Sequence, residues 1–352
     1  MIIDAHLDLA FNAVNLQADL ELPLDQLRAS PHGQRMREQG ETPTVSLPAL
    51  READARIVFG TIFVLPATSH FDLLGPVYTT PDEANVQGWA QLRYYQALAE
   101  RGAISLIGSR RDLDPLLQSP TPNPQSPTPA IVPLMEGADP IRDVAELAQW
   151  FAAGLRIVGP AWSATRYSGG THAPGPLTPA GRELMPALHA YGFALDTSHL
   201  AEESFWEALR LFNGPVIASH SNCRAFVPTD RHLSDDMIRA IVDRDGVIGV
   251  VLGDPFLNAE WKQGDPKNAV TLADVVRHIE HICQIAGDAR HVGIGSDLDG
   301  GFGVESIPAE LESCRDLHLI GAALRTAGWR ADEIDGVLHG NWARWLRSAL
   351  PS

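Results

Sequence analysis

Short apolar, β-rich runs alternate along the chain with amphipathic stretches of helical period. Side chains alternate faces in an extended strand, so His6 and Asp8 in Ile2-Ile3-Asp4-Ala5-His6-Leu7-Asp8 point the same way. Residues 57–65 are nearly all apolar and rich in β-branched residues, as in a parallel strand buried on both faces. Further strands are predicted at 131–135, 155–160, 193–197, 215–219, 247–252 and 291–295. Between them the 3.6-residue period predicts helices at 81–102, 179–191, 202–212, 234–244 and 272–286, with two more at 310–326 and 331–346. In the first of these, Pro81 and Asp82 open the helix, and Trp89, Leu92, Tyr95 and Leu98 form its apolar stripe.

Eight strands separated by helices predict an α/β fold, a closed parallel (β/α)8 TIM barrel, better than an open sheet. The polar segment up to Val45, broken by Pro23, Pro31, Gly33 and Pro43, predicts a helix and loop over one mouth of the barrel. Ala103 to Ile107 is apolar, but six prolines at 115, 120, 122, 124, 127 and 129 separate it from the next strand. That spacing excludes a regular element and predicts a proline-rich surface insertion at about 115–130 in one domain spanning 1–352.

Composition narrows the class further. Apolar residues at 45% and charged residues at 20% match a chain able to bury a large core. A net charge of −17 repels phosphate backbones and anionic membrane surfaces, so neither nucleic acid nor membrane is an expected partner. No run approaches the roughly 20 apolar residues that cross a bilayer. The first strand begins at once with no basic and apolar leader, which predicts a cytoplasmic protein. Cys223, Cys283 and Cys314 show neither disulfide nor thiolate-zinc spacing and read as small buried hydrophobes.

Active sites of such barrels lie at the carboxyl ends of the strands. The ionisable residues fall there: His6 and Asp8 after the first strand, Glu136 after the third, His199 after the fifth, His220 after the sixth and Asp297 after the eighth. Taken singly each has an ordinary reading. Glu136 is a fair helix cap, Asp297 before Gly300-Gly301 a fair turn former, and either histidine a satisfied structural group. Six such readings at one mouth are much less economical than one metal site. Three imidazoles and three carboxylates suit zinc or a similar divalent ion, and more than four ligands leave room for two ions. Two ions bridged by Glu136 would hold a hydroxide and supply a nucleophile for hydrolysis. The remaining histidines lack this placement. Gly293-x-Gly295 lacks the third glycine and the helix of a nucleotide loop.

With these residues assembled, the sequence resembles the membrane (renal) dipeptidases, peptidase family M19, over essentially its whole length. The resemblance rests on His6-x-Asp8, Glu136-Gly137, Asp-x-Ser-His199, Ser-His220-Ser, Arg231 before Leu233-Ser234-Asp235-Asp236, Gly295-Ser-Asp297-x-Asp299-Gly300 and Gly340-Asn341-x-x-Arg344. It implies a barrel with two zinc ions, the first held by His6, Asp8 and Glu136 and the second by Glu136, His199 and His220. It implies that Asp297 shuttles the proton, that Arg231 binds the substrate carboxylate through its guanidinium fork, and that the protein is a homodimer. The implied reaction is hydrolysis of small dipeptides. One departure stands out: a histidine that contacts substrate near the scissile carbonyl in mammalian-type members is replaced here by Trp162. An indole donates one hydrogen bond but carries no positive charge. The alternatives are a related amidohydrolase acting on a cyclic amide, lactone or N-acyl amino acid, and a metal-holding protein with impaired catalysis.

Overall fold

A computed structural model describes residues 1–68, 74–118 and 129–352. Eight parallel strands form the barrel: β1 (Ile2–Leu7), β2 (Ala55–Phe63), β3 (Ala130–Glu136), β4 (Ile157–Gly159), β5 (Ala194–Asp196), β6 (Val216–Ile217), β7 (Ile248–Val250) and β8 (Val292–Ile294). They pair in chain order, with β8 against β1. A single bridge, Ala218 to Ile248, joins β6 to β7 at the last seam. The first three strands are the long ones, with six, nine and seven residues, and the other five have two or three each. All nine positions of β2 are buried, the outcome its apolar run predicts.

Inward-facing residues alternate along each strand. On β2 they are Ile57, Phe59 and Thr61, and on β3 Val132, Leu134 and Glu136, so each row runs from an apolar floor to a polar mouth. The floor is a cluster of Ile3, Ile57, Phe59, Val132, Ile217 and Trp342, with Trp345 and Leu346 closing it from below. These last three come from the helix Asn341–Ala349, whose Trp342 Nε1 donates to the Ile294 carbonyl at 3.0 Å. Asn341 Nδ2 donates to the carbonyls of Ala289 and Val292, and Arg344 pairs with Asp245 at 2.7 Å. The closing Gly-Asn-x-x-Arg motif is therefore a floor brace far from the ionisable mouth.

The glycines of β8 have a packing reason. A Cβ at Gly293 would lie 2.2 Å from Trp342 Nε1, and one at Gly295 would lie 1.8 Å from the Ser219 carbonyl oxygen. Gly249 is constrained likewise, at 1.9 Å from the same oxygen. Three barrel backbones approach there too closely for any side chain.

Most predicted helices appear with nearly the expected bounds, including Pro81–Glu100, Pro179–Tyr191, Glu202–Leu211 and Leu272–Ala286. Thr80 and Glu83 form a capping box at the first, and Gly192 in left-handed backbone ends the second. The structure departs from the expectations at five places. The segment to Val45 holds three short helices, Leu9–Val14, Leu24–Ala29 and Pro31–Glu38, instead of one. Ala103–Ile107 contains a two-residue strand, Ser105–Leu106, hydrogen-bonded to the start of β3. The stretch around Pro115 is helical, Arg110–Gln118, because buried Leu113 and half-buried Leu116 and Leu117 pack on the floor cluster and outweigh one lost backbone bond. Residues 119–128 of the expected insertion lie outside the described residues, and Ala130 already belongs to β3. The last two helices are also broken up: the first starts as a 3₁₀ turn at Cys314, and a π turn over Gly336–Gly340 divides the second. Among the described residues no helix is long and apolar enough to cross a membrane.

Candidate metal centre and active site

All six ionisable residues picked out by position converge at the carboxyl mouth. The pairing of β1 with β2 slips between Asp4 and Leu7, and this lets Ala5 face the floor while His6, next in the chain, faces Glu136. Glu136 ends β3 at the centre of the group. Its Oε2 lies 3.4 Å from His6 Nε2, while its Oε1 lies 3.0 Å from His199 Nε2 and 3.3 Å from His220 Nε2. The two oxygens of one carboxylate thus address two separate sets of imidazoles. His199 Nε2 and His220 Nε2 are 3.0 Å apart. Asp297 Oδ1 sits 3.8 Å from His6 Nε2, and His6, Asp8 and Asp297 offer ligand atoms within 4.8 Å of one another. His6, Glu136 and His220 form a second such group.

The loops that bring these residues together are strained. His199, Asp297 and Asp299 have φ of 65°, 60° and 63°, left-handed backbone that only glycine adopts freely. Hydrogen bonds hold them there. Asp297 N donates to the His6 carbonyl at 3.1 Å, and Gly300, where a Cβ would strike Asp297 Oδ1 at 2.0 Å, accepts no side chain. Asp299 accepts from the backbone N–H of Thr44 and Val45 and from the Thr44 hydroxyl, tying the 41–45 loop to the same mouth.

The converging side chains are also fixed from behind. His199 Nδ1 meets Thr171 Oγ1 at 2.9 Å, and Asp8 Oδ1 accepts from the Thr61 hydroxyl. His6 Nδ1 and His220 Nδ1 both reach Ser219 Oγ. In every histidine the outer nitrogen is occupied by protein, which leaves Nε2 aimed at the cluster. Position at strand ends picks out the converging ionisable residues but not these supports. Thr61 is the exception, a polar residue at an inward position within the apolar run 57–65.

Electrostatics of the cluster follow from six buried ionisable groups. Burial alone would lower the pKa of His6, but the carboxylates of Glu136, Asp297 and Asp8 outweigh it and push it up to about 10. Burial would raise Glu136, yet His6, His199 and His220 together bring it well below the ordinary range. His199 is lowered to about 4 by burial and by Arg231, and His220 is held well below the ordinary imidazole value by burial, His6 and Arg231. Both therefore stay neutral with a free lone pair. Asp8 is raised to about 6 by burial and by Glu136. Asp297 is raised well above its usual value by burial, with Asp8 and Glu136 adding repulsion.

Around this centre stand two further predicted residues. Arg231 is buried; Nη2 donates to the His220 carbonyl at 2.7 Å and Nη1 to Ser221 Oγ at 3.2 Å, while Nε is buried with no hydrogen-bond partner. Its guanidinium lies over the Phe256 ring, 5.6 Å from the centroid. Trp162 is half-buried against Phe63, with centroids 5.1 Å apart, and 6.3 Å from the His199 ring. It joins the apolar group of Phe11, Phe63 and Leu65 to the ionisable cluster.

A parallel barrel with buried imidazoles and carboxylates converging at its carboxyl mouth defines a metal-dependent hydrolase. The chain belongs to the membrane dipeptidase family, peptidase family M19, whose pattern matches residues 1–350. Two solved structures are similar along nearly the whole length. One is a dipeptidase of the same family, with TM-score 0.80 and 25% identity over 100% of this chain and 99% of that one. The other is a Rhodobacter sphaeroides metallopeptidase liganded with a phosphinate mimic of the dipeptide L-Ala-D-Ala, with TM-score 0.79 and 25% identity over 99% of each chain. Among curated proteins, the Aspergillus oryzae dipeptidase aclJ is 30% identical over 49% of this chain and 39% of its own length. A Klebsiella pneumoniae protein described only by its position in the pqqA 5′ region is 34% identical over 58% of this chain and 75% of its own.

Proposed function

We propose that the protein hydrolyses the amide bond of small dipeptides using two divalent cations, with zinc the first choice. His6, Asp8 and Glu136 would hold one ion, and Glu136, His199 and His220 the other. The observation that carries this reading is the split of Glu136, one oxygen toward His6 and the other toward the His199 and His220 pair. The donor set fits such ions: His6 Nε2 is buried without a hydrogen-bond partner, and His199 and His220 are held neutral. When bound, the ions would polarise the substrate carbonyl and make water a nucleophile near neutral pH.

The chain's own residues supply the rest. Arg231, anchored through its Nη atoms, keeps Nε free to donate to the terminal carboxylate of a substrate. Asp297 takes the proton of the attacking water and delivers it to the departing amine, and its burial favours the protonated form between those steps. Trp162 forms an apolar wall beside His199. It provides no positive charge at the carbonyl, so turnover depends on the ions more heavily than on side-chain donors.

Metal content and a dipeptide panel test this reading. Two zinc equivalents per chain and cleavage of dipeptides, including pairs with a D-residue at the second position, are expected. A purified protein that holds no metal after incubation with zinc would overturn it, and activity confined to cyclic amides, lactones or N-acyl amino acids would replace the substrate class.

A further inference from the structure

Beneath the six ionisable groups, the inward-facing Asp196 of β5 and Ser219 at the end of β6 form a buried polar layer. Asp196 Oδ2 accepts the Ser219 hydroxyl at 2.5 Å, and Asp196 Oδ1 accepts the backbone N–H of Ser219 at 2.8 Å and of Ser198 at 3.0 Å. Ser219 Oγ in turn lies 2.8 Å from His220 Nδ1 and 3.2 Å from His6 Nδ1. Ser198 Oγ is its remaining neighbour, at 3.4 Å.

A serine hydroxyl has one hydrogen and two acceptor lone pairs. The short contact to a carboxylate claims the hydrogen, since a charge-assisted bond is the stronger one. The oxygen is then only an acceptor toward both imidazoles, so Nδ1 of each must carry its proton. Both rings are thereby fixed with Nε2 as the nitrogen left to offer a lone pair to an ion, which at His6 means once its second proton is displaced. They stack with centroids 3.6 Å apart and 28° between planes, and their Nε2 atoms face opposite oxygens of Glu136. His6 and His220 belong to the two different ion positions. One hydroxyl therefore orients a ligand at each.

We propose that Ser219, held by Asp196, is a positioning residue shared by the two metal positions, so that its loss weakens both together. This rests on the binuclear reading above. The contrast within the site is Thr171, whose hydroxyl meets only His199. The backbone around Ser219 is set independently of its side chain, by the Gly249 and Gly295 approaches to its carbonyl, so removing the hydroxyl leaves the strand in place.

The experiment is competition of the chelator-stripped protein with a chromophoric zinc chelator, for wild type, Ser219→Ala, Asp196→Asn and Thr171→Val. Outer-sphere partners of a metal-bound histidine typically contribute about 10- to 100-fold in affinity. Ser219→Ala is expected to weaken both zinc equivalents by about that factor, and Thr171→Val only one. Wild-type affinity at either equivalent in folded Ser219→Ala would overturn the proposal. Should that variant fail to fold by circular dichroism, Asp196→Asn decides instead: it keeps the shape but removes the charge that claims the hydroxyl proton, and unchanged affinities at both equivalents would overturn the proposal. A wild type binding fewer than two zinc ions would refute the binuclear reading itself, a result distinguishable from either outcome.

Discussion

At the amino-terminal end of the barrel the interior is filled by Phe59, Trp342 and Trp345, with ring centroids 5.2 to 6.3 Å apart. At the carboxyl end the barrel presents His6, Glu136, His199 and His220, with nitrogen and oxygen atoms 3.0 to 3.4 Å apart. In the floor the indole N–H of Trp342 finds a carbonyl and the rings find each other. In the mouth neither His6 Nε2, 3.4 Å from Glu136 Oε2, nor Arg231 Nε makes a hydrogen bond. Buried polar atoms without partners cost stability, roughly 1 to 3 kcal/mol each. Left-handed φ at His199, Asp297 and Asp299 adds to that cost. Stability is thus concentrated at one end of each strand, and the other end is free to hold an arrangement that only a ligand completes.

The contrast is sharpest in Glu136→Gln. The amide cannot neutralise two cations, so zinc content is expected to fall below one per chain and turnover by about a thousandfold or more, read by metal analysis and a dipeptide assay. The fold should survive, because no floor contact changes. A variant retaining two zinc ions at wild-type affinity would remove Glu136 from the bridging position. Trp342→Ala is the mirror experiment. Emptying the floor of a fully buried indole should cost about 3 to 5 kcal/mol in denaturant unfolding, while the protein that remains folded binds zinc with unchanged stoichiometry. Loss of metal at an unchanged midpoint would mean that floor and mouth are not separable.

A smaller effect is expected from Arg231→Lys. An ammonium keeps the charge but loses the fork and the stacking on Phe256. The expected result is a 10- to 100-fold loss, on the order of 1.4 to 2.7 kcal/mol, in kcat/KM for dipeptides, carried mainly by KM. Zinc affinity should be unaffected. An unchanged KM would place substrate carboxylate binding elsewhere.

What the sequence conveyed of these two ends depends on how each encodes its information. Period and burial pattern were enough for the barrel, since runs such as 57–65 and helices such as Pro81–Glu100 carry strong repeats. Placement at strand ends was enough for the six ionisable residues. Arg231 was legible only through family resemblance, because its loop has no period. The helix through Pro115 went unread since tertiary packing of Leu113 overrode a local breaker. Gly293 and Gly295 were rightly refused as a nucleotide loop, but their actual meaning, a three-dimensional approach to Trp342 and Ser219, has no sequence signal. Ser219 itself, next to a ligand in sequence, gave no sign that its hydroxyl also meets His6, 213 residues away.

Acidity offers the finest probe of the mouth, and its sign follows from His6. In the metal-free cluster this imidazole is protonated up to about pH 10, and a cation must displace that proton to reach Nε2. Zinc affinity should therefore rise about tenfold per pH unit from about pH 7, by when Asp8, raised to about 6, is mostly ionised, and level off toward pH 10. The raised pKa also stabilises the metal-free fold: that contribution is full below about 6.5, the ordinary imidazole value, and is lost as pH climbs through about 10. Calorimetric titration at pH 8 in two buffers of different ionisation enthalpy should show about one proton released when the His6 position fills. Release of two would mean that Asp297, raised by burial, also gives up its proton and joins the ligands. Release of none would show that His6 carries no proton in the empty centre.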